Sequence, residues 1–358
     1  MTSGLAWGWL AHLRAGGVTP WLAWSGDGEP AGRLPGAQQL ELVRRLNALG
    51  PADADLVERV IAAGGPGRGQ QDLGLIGADD GQAFGAAPVD PALMPAEELV
   101  RLASGVLADL VVDRPGSAPA DARPKLLRHR YLLRGDPWLT RSARTQLRAR
   151  GLPPGGPRAR GLVVVSRLDD YCADLWSALS ANASVPRWST WLQRLDERLP
   201  PRVDPVVQAA ALAERAGVRD VRICIGLDAV AELLDVPLTP PVRLSHAAVE
   251  GLRHVRGVLR VTVGEPGTRA LVHSTLVPWL GAGDDVDLPR PATPRMQLPW
   301  LRAEANRWQA GLAGYAVRGG SLEELAPADP LRTTAPTDDE ILHVMLRTLR
   351  WAAKEGPQ

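Results

Sequence analysis

Apolar positions follow two different rhythms along the chain. Up to about residue 112 they recur at helical spacing. Leu42, Val43, Leu46 and Leu49 mark a helix over 38–49, a second follows over 53–63, and Leu99, Leu102, Val106 and Leu110 mark a third from Pro95 to Leu110. Beyond residue 125, short β-branched runs alternate with amphipathic stretches. Strands are expected over 126–134, 161–166 (GLVVVS) and 218–225, with a further one over 258–263. Helices are expected over 140–150, 169–181, 205–216, 228–234, 300–312 and 338–353, the last opened by Thr337 with Glu340 in capping-box spacing.

Apolar strands separated by helices belong in a largely parallel sheet covered on both faces. The Pro- and Ala-rich stretch at 113–124 reads as a linker. The expected architecture is therefore a mainly helical, Trp-rich extension over 1–115, a three-layer α/β domain with a parallel sheet over 116–330, and a C-terminal helix within 331–358 packed on that domain.

Composition narrows the function classes. Lys and Arg together number 41 against 40 Asp and Glu, so no global field draws the chain to nucleic acid or an anionic membrane surface. No run of 18 apolar residues occurs, and the N-terminus lacks a basic segment followed by a long apolar one, so a cytoplasmic protein without a membrane span is expected. Cys172 and Cys224, each in an apolar stretch, supply neither a disulfide framework nor a four-cysteine zinc site. Only Lys125 and Lys354 are lysines. The dominance of Arg suits planar recognition of phosphate, sulfate or carboxylate, and a GC-rich genome produces the same bias.

Trp7, Trp9, Trp21 and Trp24 crowd the first 36 residues. These rings either fold back onto the protein or form a surface for a protein or glycan partner.

In an α/β sheet the ligand sits beyond the carboxyl ends of the strands, which directs attention to the loops after Arg134, Ser166 and Ile225. The first reads R-G-D-P-W-L-T-R-S. A phosphate-cradling loop needs converging backbone N–H groups, a Lys, and a Ser or Thr at the helix start. Gly135, Thr140 and Ser142 are present, a Lys is not, Pro137 lacks a donor and Trp138 fills space. Arg134, Arg141, Arg144 and Arg148 form the one basic cluster near this loop, the last three as a helical stripe that is either a solvated face or an anion site.

The succession of strand, short loop, a helix ending L-R-A-R-G, a second strand and D-D-Y-x-x-x-x-W resembles the bacterial sulfotransferase family. The runs at 206–225, 244–253 and 314–327 are similar to its downstream elements. The resemblance covers roughly residues 125–350 and implies a P-loop-like fold with 3′-phosphoadenylyl sulfate as donor. In the place of the family's K-x-G-T-T loop stand Asp136, Pro137, Trp138, Leu139 and Thr140. At its 3′-phosphate site Ser166 takes the position of an Arg and Asp174 that of a Ser, with Arg167 one residue away. The implied donor-binding residues are Arg134, Gly135, Thr140, Ser142, Ser166, Arg167 and Asp174; no catalytic residue is assigned.

Three functions stay open. One is a sulfotransferase-like protein with an altered or lost donor site, acting on a surface polysaccharide or small molecule. Another is an inactive scaffold that binds a protein or glycan through Trp7, Trp9, Trp21 and Trp24. The third is a glycosyltransferase-like enzyme using Asp169 with Asp170 or Asp284 with Asp285 for a divalent ion. Weaker signals are GGPGRG at 64–69, read as a linker, and His246 with His254 around Glu250, which are about 12 Å apart along a helix and too far for one ion. G-x-S-x-G is absent, which disfavours a serine hydrolase.

Overall fold

The computed structural model describes residues 4–30, 33–63, 73–78, 86–117, 120–123, 130–156, 158–195, 199–283, 288–328 and 335–355. The chain opens with α1 (Gly4–Arg14), α2 (Ala37–Ala48), α3 (Ala54–Ala62) and α4 (Ala96–Asp113). There follow β1 (Tyr131–Gly135), α5 (Pro137–Ala149), β2 (Ala159–Val165), α6 (Leu168–Asn182), α7 (Trp188–Arg194), α8 (Pro205–Ala213), β3 (Val218–Ile225) and α9 (Asp228–Leu234). The remainder is α10 (His246–Leu271), α11 (Val277–Gly283), α12 (Leu298–Leu312), β4 (Ala316–Arg318) and α13 (Asp338–Glu355). Most expected elements form within a few residues of their expected limits. Of the strand expected over 126–134, positions 126–129 lie outside the described residues.

The chain divides into two units that are not contiguous in sequence. The helical unit comprises Met1–Gly116, Leu244–Leu288 and Pro336–Gln358. At its centre α4 buries Leu99, Val100, Val106, Leu107, Leu110 and Val111. An apolar surface that broad needs several neighbours, and α2, α10 and α13 supply them. The C-terminal helix thus belongs to this unit, against α4, α10 and α11, and not to the α/β domain as the sequence suggested. Its start is as expected: the backbone N–H of Glu340 donates to Thr337 Oγ1 at 3.2 Å, and Thr337 N donates back to Glu340 Oε2 at 2.7 Å.

The strand expected over 258–263 is helical, lying inside α10. Leu252, Val255 and Leu259 are buried at helical spacing, while Val261 is 85% exposed. Burial of one helical stripe outweighs the β-branched content of the run. Gly264, with φ +71°, breaks the helix two residues before Pro266.

The tryptophans of the first segment pack inside this helical unit. Trp7, Trp9 and Trp21 are buried, Trp9 and Trp21 have ring centroids 5.4 Å apart, and the half-buried Trp24 stacks on His12 at 4.5 Å. The Nε1 atoms of Trp9, Trp21 and Trp24 donate to the carbonyls of Thr19, Ile76 and Leu5. The rings of this segment thus fold back onto the protein, with Trp24 the most exposed of the four.

The α/β unit comprises Ser117–Arg243 and Pro289–Ala335. Its four described strands are parallel in the order β1-β2-β3-β4, with Leu133 opposite Leu162 and Val163 opposite Ile223. β4, which the apolar pattern did not announce, adds a three-residue edge. The strand order never reverses, unlike that of doubly wound sheets, whose ligand crevice opens at the reversal. Helices cover both faces. On one, Tyr131, Leu133, Leu162, Val164 and Cys224 pack with Leu139, Ala143 and Leu147 of α5 and Val230 and Leu234 of α9. On the other, α8 crosses β1, β2 and β3, its Leu212 beside Gly161. Truncating a side chain in so well-filled a core costs about 2–5 kcal/mol.

A recurring Asp-Pro pair starts the helices here. Asp136 before Pro137 and Asp204 before Pro205 each accept two backbone N–H bonds at the head of α5 and α8. The carboxylate satisfies donors that the first turn leaves open, and Pro lacks the N–H that would have none.

Candidate anion pocket beside Gly135

The carboxyl end of β1 turns sharply into α5. Gly135 has φ +103°, and a Cβ there would lie 1.9 Å from the Val164 carbonyl oxygen, so the close approach of the end of β1 to its neighbour β2 requires glycine. Every backbone donor of this turn is used within the chain. Gly135 N donates to Gln208 Oε1 at 2.7 Å and Asp136 N to the Val164 carbonyl at 2.9 Å. Trp138 N and Leu139 N donate to Asp136 Oδ1 at 3.0 and 3.1 Å, and Thr140 N to the Asp136 carbonyl at 2.9 Å. Asp136 occupies the helix N-terminus where a phosphate-cradling loop holds its ligand. The expected backbone cradle is therefore filled by the protein's own carboxylate.

Five of the seven implied donor-binding residues fall into two groups, and Ser142 and Arg167 into neither. Ser166, Asp174 and Asp136 form a closed internal network: Ser166 Oγ donates to Asp136 Oδ2 at 3.0 Å, and Asp174 pairs with Arg290 at 2.6 Å and Arg243 at 2.9 Å. Arg290 also bonds Asp170. Burial, and then the charge of Asp174, push the Asp136 carboxyl well above the usual range; burial likewise raises Asp174, against the pull of Arg290 and Arg243. Arg167, one residue from Ser166 at the implied 3′-phosphate site, is exposed and pairs with Asp169 at 2.7 Å and Asp170 at 3.2 Å. Asp169 and Asp170 thus face arginines, and Asp284 and Asp285 lie outside the described residues, as does GGPGRG at 64–69. Among the described residues no group of three or more His, Cys, Asp or Glu is placed to hold a metal ion.

Arg134, Gly135 and Thr140 belong to the second group. They line an open cavity of about 300 Å³ together with Arg141, Arg144 and Arg202, with Pro137, Ala178 and Val203 as its apolar wall. Asn182 and Gln208 complete it. Ser142 does not line it; its Oγ accepts from Gln146 Nε2 at 3.1 Å. Arg148, the fourth arginine of the expected stripe, instead lines a separate hollow with Asp121 and Arg123.

The pocket gathers four guanidinium groups, those of Arg134, Arg141, Arg144 and Arg202. No carboxylate stands among its described lining residues, and within the described residues Arg134 and Arg202 have no carboxylate partner. Arg134 and Arg144 both donate to the Leu133 carbonyl, which brings their charges side by side. Burial and the neighbouring Arg134 push the Arg144 guanidinium below its ordinary value. Arg202 arrives from the loop before α8. There Gln208 is the brace, its Nε2 donating to the Arg202 carbonyl at 2.6 Å while its Oε1 accepts from Gly135 N.

Arg202, Asn182 and Gln208 were not legible as site residues. The one local signal is the Asp204-Pro205 cap, which fixes the start of α8 and so the loop carrying Arg202.

Other reactive side chains are packed away. Cys172 and Cys224 are buried, the Cys224 thiol pushed up to about 12 by burial. In the helical unit His246 is buried, its Nε2 4.0 Å from Glu250 Oε1; burial, then Arg253, push it down to about 4. No described helix is long and apolar enough to cross a membrane. In comparisons with protein-family models, curated proteins and solved structures, nothing matches this chain.

Proposed function

We propose that the α/β unit binds a small phosphate- or sulfate-bearing molecule in the pocket of Arg134, Arg144 and Arg202. The supporting observation is the concentration of guanidinium charge in a cavity with no carboxylate among its described lining residues. Guanidinium forks match tetrahedral oxyanions, and a partly enclosed site strengthens each contact relative to water. Recognition here runs through side chains alone, because the backbone donors of the turn are spent on Asp136 and its neighbours.

The test is thermal unfolding in sodium sulfate or phosphate against sodium chloride at equal ionic strength. A ligand at about 100 times its Kd adds roughly 2.7 kcal/mol. Stabilisation specific to the oxyanions, and lost in Arg134→Ala, supports the reading; equal effects of all three salts remove it.

A second reading is sulfotransferase-like group transfer from 3′-phosphoadenylyl sulfate to a small-molecule or glycan acceptor. The position of the pocket beyond the carboxyl end of β1, with Thr140 in its wall, favours it. The described lining residues include no His, Asp, Glu, Cys or Lys, so transfer would proceed by positioning and charge stabilisation. Stabilisation by 3′-phosphoadenosine 5′-phosphate well beyond that by phosphate at equal concentration separates this reading from simple anion binding.

A further inference from the structure

We infer that the pocket takes a ligand with two anionic groups, a diphosphate or a short-chain bisphosphate, an inference that rests on the anion-binding reading above. Charge is the first argument. One phosphate carries about −1.5 to −2 at neutral pH. Arg134, Arg144 and Arg202 already exceed that with Arg141 set aside. A single phosphate engages only part of that charge, and a second anionic group engages the rest.

Placement is the second argument. The donors come from two separate parts of the chain. Arg134 and Arg144, on β1 and α5, share the Leu133 carbonyl as an acceptor and so form one cationic pair. Arg202 stands on the loop before α8, with Asn182 at the end of α6 as a second polar group from that side. Gln208 ties the two parts together by bonding Gly135 N and the Arg202 carbonyl at once. A ligand with an anionic group at each end spans them.

Size and lining limit what lies between those groups. About 300 Å³ is at the small end of ordinary ligand pockets. Pro137, Ala178 and Val203 supply aliphatic contact, and the described lining residues include no aromatic ring to stack on a base. The connecting portion is therefore short and aliphatic, or a bridging oxygen.

Isothermal titration calorimetry of the full chain with orthophosphate, pyrophosphate and propane-1,3-diyl bisphosphate, at constant ionic strength, tests this. Pyrophosphate or the bisphosphate is expected to bind at least tenfold more tightly than orthophosphate; whichever is tighter distinguishes a bridging oxygen from a carbon linker. Arg202→Ala should remove that advantage while leaving orthophosphate within about twofold, and Arg134→Ala should weaken all three. Arg202→Gln, which keeps length and polarity without charge, should behave as Arg202→Ala does, with circular dichroism confirming an unchanged fold. Equal affinity for the three ligands, or parallel losses in Arg202→Ala, would overturn the two-group inference and leave the single-anion site standing. Absence of binding by all three would remove both.

Discussion

Ser166 at the end of β2 donates a hydrogen bond to Asp136 at the head of α5, joining the two strand ends through a fully buried carboxylate at 3.0 Å. The other oxygen of Asp136 caps α5. One side chain therefore orders the turn that carries the pocket.

Replacing Asp136 by Ala removes the cap and leaves the Ser166 hydroxyl and two N–H groups without their acceptor. A loss of about 2–4 kcal/mol is expected, read from the urea midpoint. Asp136→Asn keeps an oxygen for Trp138 and Leu139 and takes a charge from beside Asp174, so its cost should be less than half of that. Equal costs for the two variants would mean that capping is not what Asp136 contributes.

The same group sets a pH dependence. A folded carboxyl pKa above the unfolded one means that the native state keeps a proton the unfolded chain gives up. Its stabilising contribution is complete below about pH 4, the unfolded value, and is lost as pH rises through the raised folded value. Asp174, Arg243 and Ser166 face this carboxyl and are unchanged in Asp136→Asn. Stability of wild type relative to Asp136→Asn should fall as pH rises from 4 to 8, measured by hydrogen exchange of the β2 amides. A pH-independent difference would contradict the raised pKa.

Gly135→Ala should cost at least about 3 kcal/mol, since the added methyl meets the Val164 carbonyl and the backbone sits at φ +103°. Gly226 has φ +77° with open space around it, and its change to Ala should cost only about 1 kcal/mol. Thermal melts of the two variants side by side decide whether contact or dihedral strain dominates.

In the helical unit the sign is opposite. His246 is depressed to about 4, so its contribution is present above the unfolded value near 6.5 and is lost as pH falls through 4. Arg253 lowers it and Glu340 raises it, with Glu250 alongside. Up to roughly 3 kcal/mol should disappear between pH 6.5 and 4, and His246→Gln should flatten that part of the stability curve measured by exchange of the α10 amides. An unchanged curve in the variant would locate the acid sensitivity elsewhere.

Interactions that close within a few residues were legible in the sequence: the helical stripes of α2 and α4, the apolar runs of β2 and β3, and the reciprocal cap of Thr337 and Glu340. The head of α5 lacks the lysine of a phosphate-cradling loop and carries a helix cap in its stead. Asp136 followed by Pro137 is a helix start in its own right, and its carboxylate takes the anion's place. The run at 258–263 misled because β-branched residues bias a strand only weakly, and burial of Leu252, Val255 and Leu259 along one helical face decided the matter.

The sequence by itself determined the parallel α/β character and the boundaries of most elements, because period and capping act over one or two turns. Tertiary structure alone decided which elements became neighbours. An amphipathic helix such as α13 carries an apolar face but no address for it, and the broad apolar surface of α4 claimed it. Likewise Arg134, Arg144 and Arg202 are unremarkable in an Arg-rich chain. They become a pocket when β1, α5 and the loop before α8 converge, because electrostatic potential depends on distance in space and not on separation along the chain.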